Sequence, residues 1–267
     1  MTKLPRRPTP ALPASLATEL RGNIAIVTLK RPHKRNALDD TLVQGLQSFF
    51  AALPEGIKAV VLNGEGQHFS AGLDLTELTE RNIAEGIEHS AGWHRAFQFI
   101  EFGKAPVVAV LHGAVVGGGL ELAAAAHVRI AERSTYYALP EGSRGIYVGG
   151  GASVRLPKLI GVSRMQEMML TGRTYNAEEG HSIGLSHYVV EDGEGLAKGV
   201  ALAKRIAENA PLTNFAITHV LPRIAESDPA SGYLAESLMA AIAQGSDEAK
   251  SRLKDFLEKR GKKVLRG

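Results

Sequence analysis

The run GAVVGGGLELAAAAHVRIA, residues 113–131, decides how this chain is read. It follows a short apolar stretch, VVAVL (107–111), passes through Gly117, Gly118 and Gly119, and continues into an alanine-rich segment. That order reads as strand, glycine turn and helix. Glu121 is its one acid, and no other formal charge appears until Arg129. A carboxylate taken out of water without a partner is costly and tends to neutralise or pair, so Glu121 marks a candidate site. Two nucleotide explanations fail. A Walker loop needs Lys and then Ser or Thr where Leu120 and Glu121 stand, and a Rossmann fingerprint needs glycine where Leu122 stands. Glu121 in the first helical turn would also repel a phosphate. Two readings of the glycines remain: bare backbone N–H groups that stabilise an oxyanion, or a turn packed tightly on neighbouring backbone.

Working outward, strands are expected at 23–30 (NIAIVTLK), 58–62 (KAVVL), 107–111, within HVRIA and near 187–190. Helices are expected at 39–53, with Asp39 or Asp40 as N-cap, and over 79–102, 152–160, 163–171, 176–184, 196–209, 212–225, 230–243 and 247–260. Strands alternate with helices in the first two thirds and helices dominate the last third, the pattern of an α/β fold followed by a helical appendage. The expected organisation is a Pro-rich, basic, disordered tail over 1–18, a core over 19–195 and a helical region over 196–267.

A second carboxylate, Glu141, stands 20 residues after Glu121 in YYALPEGSRG. A chain that leaves the helix and returns along a strand can bring the two together, and neighbouring carboxyls in an apolar pocket split into one acid and one base. The other reading of Glu141 is an exposed turn residue. The stretch HFSAGLDL (68–75) offers a further set of free N–H groups, or simply a helix capped by Asp74.

Composition narrows the classes. Of a net charge of +3, residues 1–18 carry +3 and the last ten carry +4, so the rest of the chain is at −4 and holds no basic stripe for nucleic acid. No apolar run is long enough to span a bilayer. The absence of cysteine removes disulfides and thiolate chemistry and fits a cytoplasmic setting. The nine histidines include no HExxH or tight pair, so no metal site is expected. Trp93 reads as packing.

Taken in order, RPHKRNAL (31–38), FSAGLDL (69–75), HGAVVGGGLELA (112–123), LPEGSRG (139–145), LTGRTYNAEEGHSIGL (170–185) and FLEKRG (256–261) resemble the crotonase family, the enoyl-CoA hydratase/isomerase superfamily. The resemblance spans nearly the whole chain. It implies a crotonase-like spiral of ββα units, a C-terminal helical region that builds trimers or dimers of trimers, and a place in fatty acid metabolism. It implies a coenzyme A thioester as substrate, with no cofactor beyond the coenzyme A carried by that substrate. Leu73 and Gly118 would supply the oxyanion hole. Glu121 would act as base on water attacking a 2-enoyl-CoA, and Glu141 would protonate the α-carbon. Substrate contacts are implied at Lys34, Arg35, Ala37, Ala71, Gly117, Arg144, Tyr147, Gly149, Phe256 and Lys259, with the basic groups near RPHKR and in the C-terminal FLEKRGKK as candidates for the coenzyme's phosphates. Within the fold, an isomerase, hydrolase or lyase is the alternative, and a non-catalytic thioester-binding protein is another.

The chain departs from the family at His112, at His127 and over GSRGIYVGGG (142–151). The last of these lies near the expected acyl pocket. Arg144 there reads either as a surface arginine or as a group that recognises a polar or carboxylated acyl chain.

Overall fold

Residues 11–77 and 81–258 are described by a computed structural model. The elements run β1 Leu16–Arg21, β2 Ile24–Leu29, α1 Asp40–Ala51, β3 Ala59–Gly64, α2 Ile83–Glu101, β4 Val107–Leu111, β5 Ala114–Val116 and α3 Gly118–Ala124. They continue as β6 Val128–Glu132, β7 Tyr136–Ala138, α4 Ala152–Ile160, α5 Val162–Thr171, β8 Tyr175–Asn176, α6 Ala177–Ile183, β9 Tyr188–Val190 and α7 Gly195–Ala207. A six-stranded sheet has the order β1-β2-β3-β4-β6-β9, parallel except for the β1–β2 hairpin. A smaller sheet, β5-β7-β8, stands apart from it. Strands β3 and β4 are buried and continuously apolar over Ala59–Leu62 and Val107–Leu111, as parallel strands covered on both faces must be. This is the α/β architecture expected for the family's fold.

Three boundaries differ from expectation. Strand β1 starts at Leu16, whose buried side chain faces the core opposite Leu29, so residues 16–18 are sheet rather than tail. Residues 1–10 of that span lie outside the described residues. Helix α7 belongs to the first compact unit, which ends at Ile206, not at 195. The reason is packing on the sheet: a β-carbon on Gly199 would stand 2.7 Å from Val110 and 3.3 Å from Val61, and Ala203 is fully buried. The helix expected at 212–225 is a short helix, Pro211–Phe215, then a π-turn, Ala216–Val220, then Leu221–Glu226. Pro222 lacks the N–H that an unbroken α-helix would use, and the Leu221 N–H reaches back to Ala216 instead.

The second unit, 207–267, also holds helices Pro229–Gly245 and Asp247–Leu257, capped by Asp228 and Ser246. Among the described residues no helix is long and apolar enough to cross a membrane.

The segment RPHKRNAL positions the site although it holds little regular structure. Arg35 and Asn36 both have positive φ, 52° and 53°, a turn that swings the Asn36 side chain inward. There its oxygen accepts from the Arg31 N–H at 2.8 Å, and its amide donates to the carbonyls of Glu65 and His68 at 2.9 and 2.7 Å. The Asn36 carbonyl accepts from the Ser70 hydroxyl. Asn36 is fully buried, so truncating it strands three backbone groups. Asn36→Ala is expected to lower unfolding free energy by about 2–4 kcal/mol, measured from the urea midpoint with the m-value unchanged.

Candidate active site

Parallel pairing between β5 and β7 sets Val116 beside Ala138, and the Gly117 N–H extends the ladder to the Ala138 carbonyl at 2.9 Å. The chain beyond β5 therefore begins α3 next to where the chain beyond β7 reaches Leu139-Pro140-Glu141. Glu121 lies in the first turn of α3, and Glu141 precedes a 3-10 turn, Gly142–Arg144. Both border one cavity of about 330 Å³. Gly117 must be glycine: its φ is 51°, and a β-carbon there would stand 2.7 Å from the Glu141 Oε1.

The segment after β3 closes another wall. Ser70 pairs with β5, its N–H bonding the Ala114 carbonyl and its carbonyl taking the Val116 N–H. Gly72, at φ 90°, then lets the chain pass so close that a β-carbon would meet the Val116 carbonyl at 2.6 Å. This brings two amides together: a β-carbon on Gly118 would lie 3.4 Å from the Leu73 nitrogen. Among the described residues neither the Leu73 nor the Gly118 N–H has an acceptor, and both residues border the cavity. Two backbone N–H groups free to donate therefore lie together at the cavity.

The two carboxyls are held differently. Glu121 is 3% exposed, and its Oε1 accepts the N–H groups of Gly150 and Ala152 at 2.8 and 3.0 Å. Burial pushes its pKa above the ordinary 4.5, while those N–H groups and the Arg155 guanidinium oppose the rise. Glu141 is 7% exposed, and its Oε2 is buried without a hydrogen-bond partner. Burial raises its pKa, its own backbone N–H opposes this, the Glu121 charge adds to the rise and Arg144 opposes it. The pair has the asymmetry that gives one base and one acid: donors converge on Glu121, and an orphan oxygen on Glu141 suits a proton.

Of the residues expected at the site, Ala71, Leu73, Gly117, Gly118, Glu121, Glu141, Arg144, Tyr147 and Gly149 border the cavity. Lys34, Arg35 and Ala37 do not. Lys34 lies 3.4 Å from Asp74 and 3.3 Å from Thr76, Arg35 is exposed, and the Ala37 carbonyl accepts from Arg31. Phe256 is 62% exposed in the second unit, and Lys259 lies outside the described residues. Asp74 caps only a 3-10 turn, Leu75–Glu77, rather than an α-helix. Burial pushes its carboxyl up, but bonds from Thr76, Arg31 and Lys34 outweigh this and hold it well below the ordinary range.

Residues missed in the sequence are on α2. Trp93 is buried in the core, yet it also borders the cavity beside His89, one helical turn away. Asp40, the first residue of α1, takes the His89 Nε2 at 2.7 Å and the Trp93 indole N–H at 3.4 Å. The i, i+4 spacing was visible, but its direction toward the site was not. His127 accepts the Val107 N–H and bonds the Glu101 carbonyl, a backbone role. Among the described residues no group of three or more His, Asp or Glu is placed to hold a metal ion.

The orphan oxygen carries a thermodynamic consequence. A carboxyl whose folded-state pKa is raised costs stability above that pKa, and the cost vanishes below the unfolded value of about 4.5. Glu141→Gln is therefore expected to raise the melting temperature at pH 7, with the gain shrinking as pH falls toward 4.5. Calorimetry across that range checks it, and a lower melting temperature at pH 7 contradicts it.

Comparison with known proteins identifies the family. The family model described as Enoyl-CoA hydratase/isomerase matches residues 19–264. The chain is 29% identical over 245 residues to the short-chain-enoyl-CoA hydratase of Clostridium acetobutylicum, covering 91% of this chain and 94% of that protein. Among solved structures it is similar to the "putative enoyl-CoA hydratase" of Rhodopseudomonas palustris CGA009, at 55% identity and a TM-score of 0.91 over 92% of this chain and 96% of that one. It is also similar to that of Thermobifida fusca YX in complex with acetoacetyl-CoA, at 26% identity and a TM-score of 0.79 over 86% and 94%. With the family model matching most of its length, the chain belongs to the enoyl-CoA hydratase/isomerase family.

Proposed function

We propose that the protein is an enoyl-CoA hydratase that adds water reversibly across the 2,3 double bond of a 2-enoyl-CoA thioester. The observation that carries this is one cavity bordered by two buried carboxyls, unequally hydrogen-bonded, and by two N–H groups without acceptors. The thioester oxygen accepts from the Leu73 and Gly118 N–H groups, which draws electron density from the β-carbon. Glu121, ionised, takes a proton from water as its oxygen bonds the β-carbon. The electron pair of the double bond moves toward the α-carbon, the oxygen gathers enolate charge, and protonated Glu141 delivers the proton to the α-carbon. These steps need no group beyond the protein and the substrate's own coenzyme A.

The acyl chain runs along Leu75, Trp93, Ile146, Tyr147 and Val148, which give that wall its apolar character. Exposed Arg35 is a candidate for a coenzyme phosphate. Arg144 borders the cavity and, among the described residues, forms no hydrogen bond or ion pair with its guanidinium. It serves either the coenzyme or a polar acyl terminus. We also infer a homotrimer or dimer of trimers. Support comes from Pro229–Gly245, where Tyr233, Leu234, Leu238 and Ile242 are exposed at helical spacing. The absence of cysteine supports work in the cytoplasm.

Purified protein is expected to consume a short 2-enoyl-CoA, seen as loss of the conjugated thioester absorbance. Glu121→Gln and Glu141→Gln each reduce kcat by about 10²–10⁴-fold. Near-wild-type turnover in both variants overturns the assignment. kcat/KM is expected to follow a bell-shaped pH profile whose limbs belong to the coupled pair. The acid limb lies above pH 4.5, because the base works ionised and its pKa is raised.

A further inference from the structure

Glu121 is held by a loop, and that loop is held by Arg155. Arg155 lies in the first turn of α4 with its side chain 8% exposed. Its Nε pairs with the Glu101 Oε2 at 2.8 Å, at the end of α2, and its Nη1 donates to the Gly150 carbonyl at 3.0 Å. The N–H of the same Gly150 donates to Glu121. One guanidinium thus anchors the acceptor side of a residue whose donor side grips the carboxylate, and the Ala152 N–H adds the second bond.

The helix itself does not call for a cation there. A positive charge in the first turn opposes the helix dipole, and burying it requires a counter-charge, which Glu101 supplies. Neither Arg155 nor Glu101 borders the cavity, so neither contacts substrate in it. Among the described residues, the charged and titratable groups sharing the cavity with Glu121 are Glu141, His89, Arg144 and Tyr147, and Arg155 acts on it from behind the loop. Arg155 in turn faces Glu101 and His94, both from α2.

We propose that Arg155 is a positioning residue for the general base, aiming the Gly150 and Ala152 amides at Glu121, with Glu101 as the counter-charge that moderates its field. The proposal rests on Glu121 acting as the base. Its charge and its aim make separate predictions. Removing Arg155 takes away a charge that favours ionised Glu121, so the carboxyl titrates at higher pH. Removing the Glu101 charge leaves Arg155 less neutralised, so Glu121 titrates at lower pH. A part that merely filled space would not move the two in opposite directions.

The test uses the full-length protein as wild type, R155M, R155K and E101Q, with E121Q as spectral reference. Infrared titration of the carboxyl C=O stretch, read as the difference from E121Q, gives the Glu121 midpoint without any turnover. The midpoint is expected to rise in R155M, fall in E101Q and stay near wild type in R155K. With a short 2-enoyl-CoA, kcat of R155M falls about 30–100-fold while KM stays within about threefold, the signature of a misplaced base. R155K regains only part of kcat, because an ammonium lacks the planar fork that reaches both Glu101 and Gly150. A folded R155M with a wild-type midpoint and kcat within about threefold overturns the proposal. If R155M does not fold, E101Q decides, and an unmoved midpoint there overturns it. Opposite midpoint shifts in R155M and E101Q, with the wild type inert toward enoyl-CoA, sustain the positioning of Glu121 and defeat the hydratase reading. Turnover without those shifts does the reverse.

Discussion

Three residues of parallel pairing, Ala114–Val116 against Tyr136–Ala138, determine where both carboxylates end up. A parallel register cannot slip by one residue without turning every side chain to the other face. Here a slip would also separate the start of α3 from Glu141. The ladder is tied at both sides: Ser70 bridges to Val115, and β8 pairs with β7. Such short strands are weak alone, so their register is set by what surrounds them. The close approaches at Gly72 and Gly117 are part of that confinement, since both positions leave no room for a side chain.

The fold treats buried acids in two opposite ways. Asp74 is as buried as the site carboxyls, yet it is ringed by Arg31, Lys34 and Thr76 and held ionised, a fixed strut between RPHKRNAL and the FSAGLDL segment. Glu121 receives only backbone N–H groups directly, with Arg155 acting from behind the loop, and Glu141 keeps an oxygen with no partner. A strut needs a charge that never changes. A proton carrier needs its two protonation states to lie close in energy, and partial satisfaction accomplishes that. The instability this leaves in the cavity is outweighed by the continuous core formed by β2, β3, β4, α1 and α2.

Much of this was legible from the residues. Long periodic segments such as 39–53 and 152–160 declared their helices, and Glu121 in an uncharged run declared itself. Local sequence left Glu141 open between a site carboxyl and an exposed turn residue, because its burial depends on a strand pairing that no local pattern encodes. Leu16 was misplaced because ALPASLAT reads as Pro-rich tail, whereas its burial comes from Leu29 across a hairpin. Arg155 escaped notice for the same reason: an arginine in the first turn of a helix reads as surface until the carbonyl of Gly150 and the carboxylate of Glu101 are seen around it. In each case the missing information was a contact distant in sequence, whereas the correct readings rested on spacing within one element.

The departures over GSRGIYVGGG now separate by role. Gly149–Gly151 leads into α4 and presents the Gly150 N–H that grips Glu121, so that end of the segment acts through its backbone. Arg144, Ile146, Tyr147 and Val148 lie at the other end and border the cavity with side chains. Backbone groups thus define the chemistry while side chains shape the space beside it. Substitutions in the second set can change the acyl chain that fits and leave proton transfer in place. Arg144 touches both functions, because its charge opposes the rise that burial imposes on Glu141. An acyl group that drew Arg144 toward itself would weaken that opposition and favour the protonated form of Glu141, which is the form an acid needs. Under the function proposed above, recognition of the acyl chain and readiness of the acid would be electrostatically linked at this one residue.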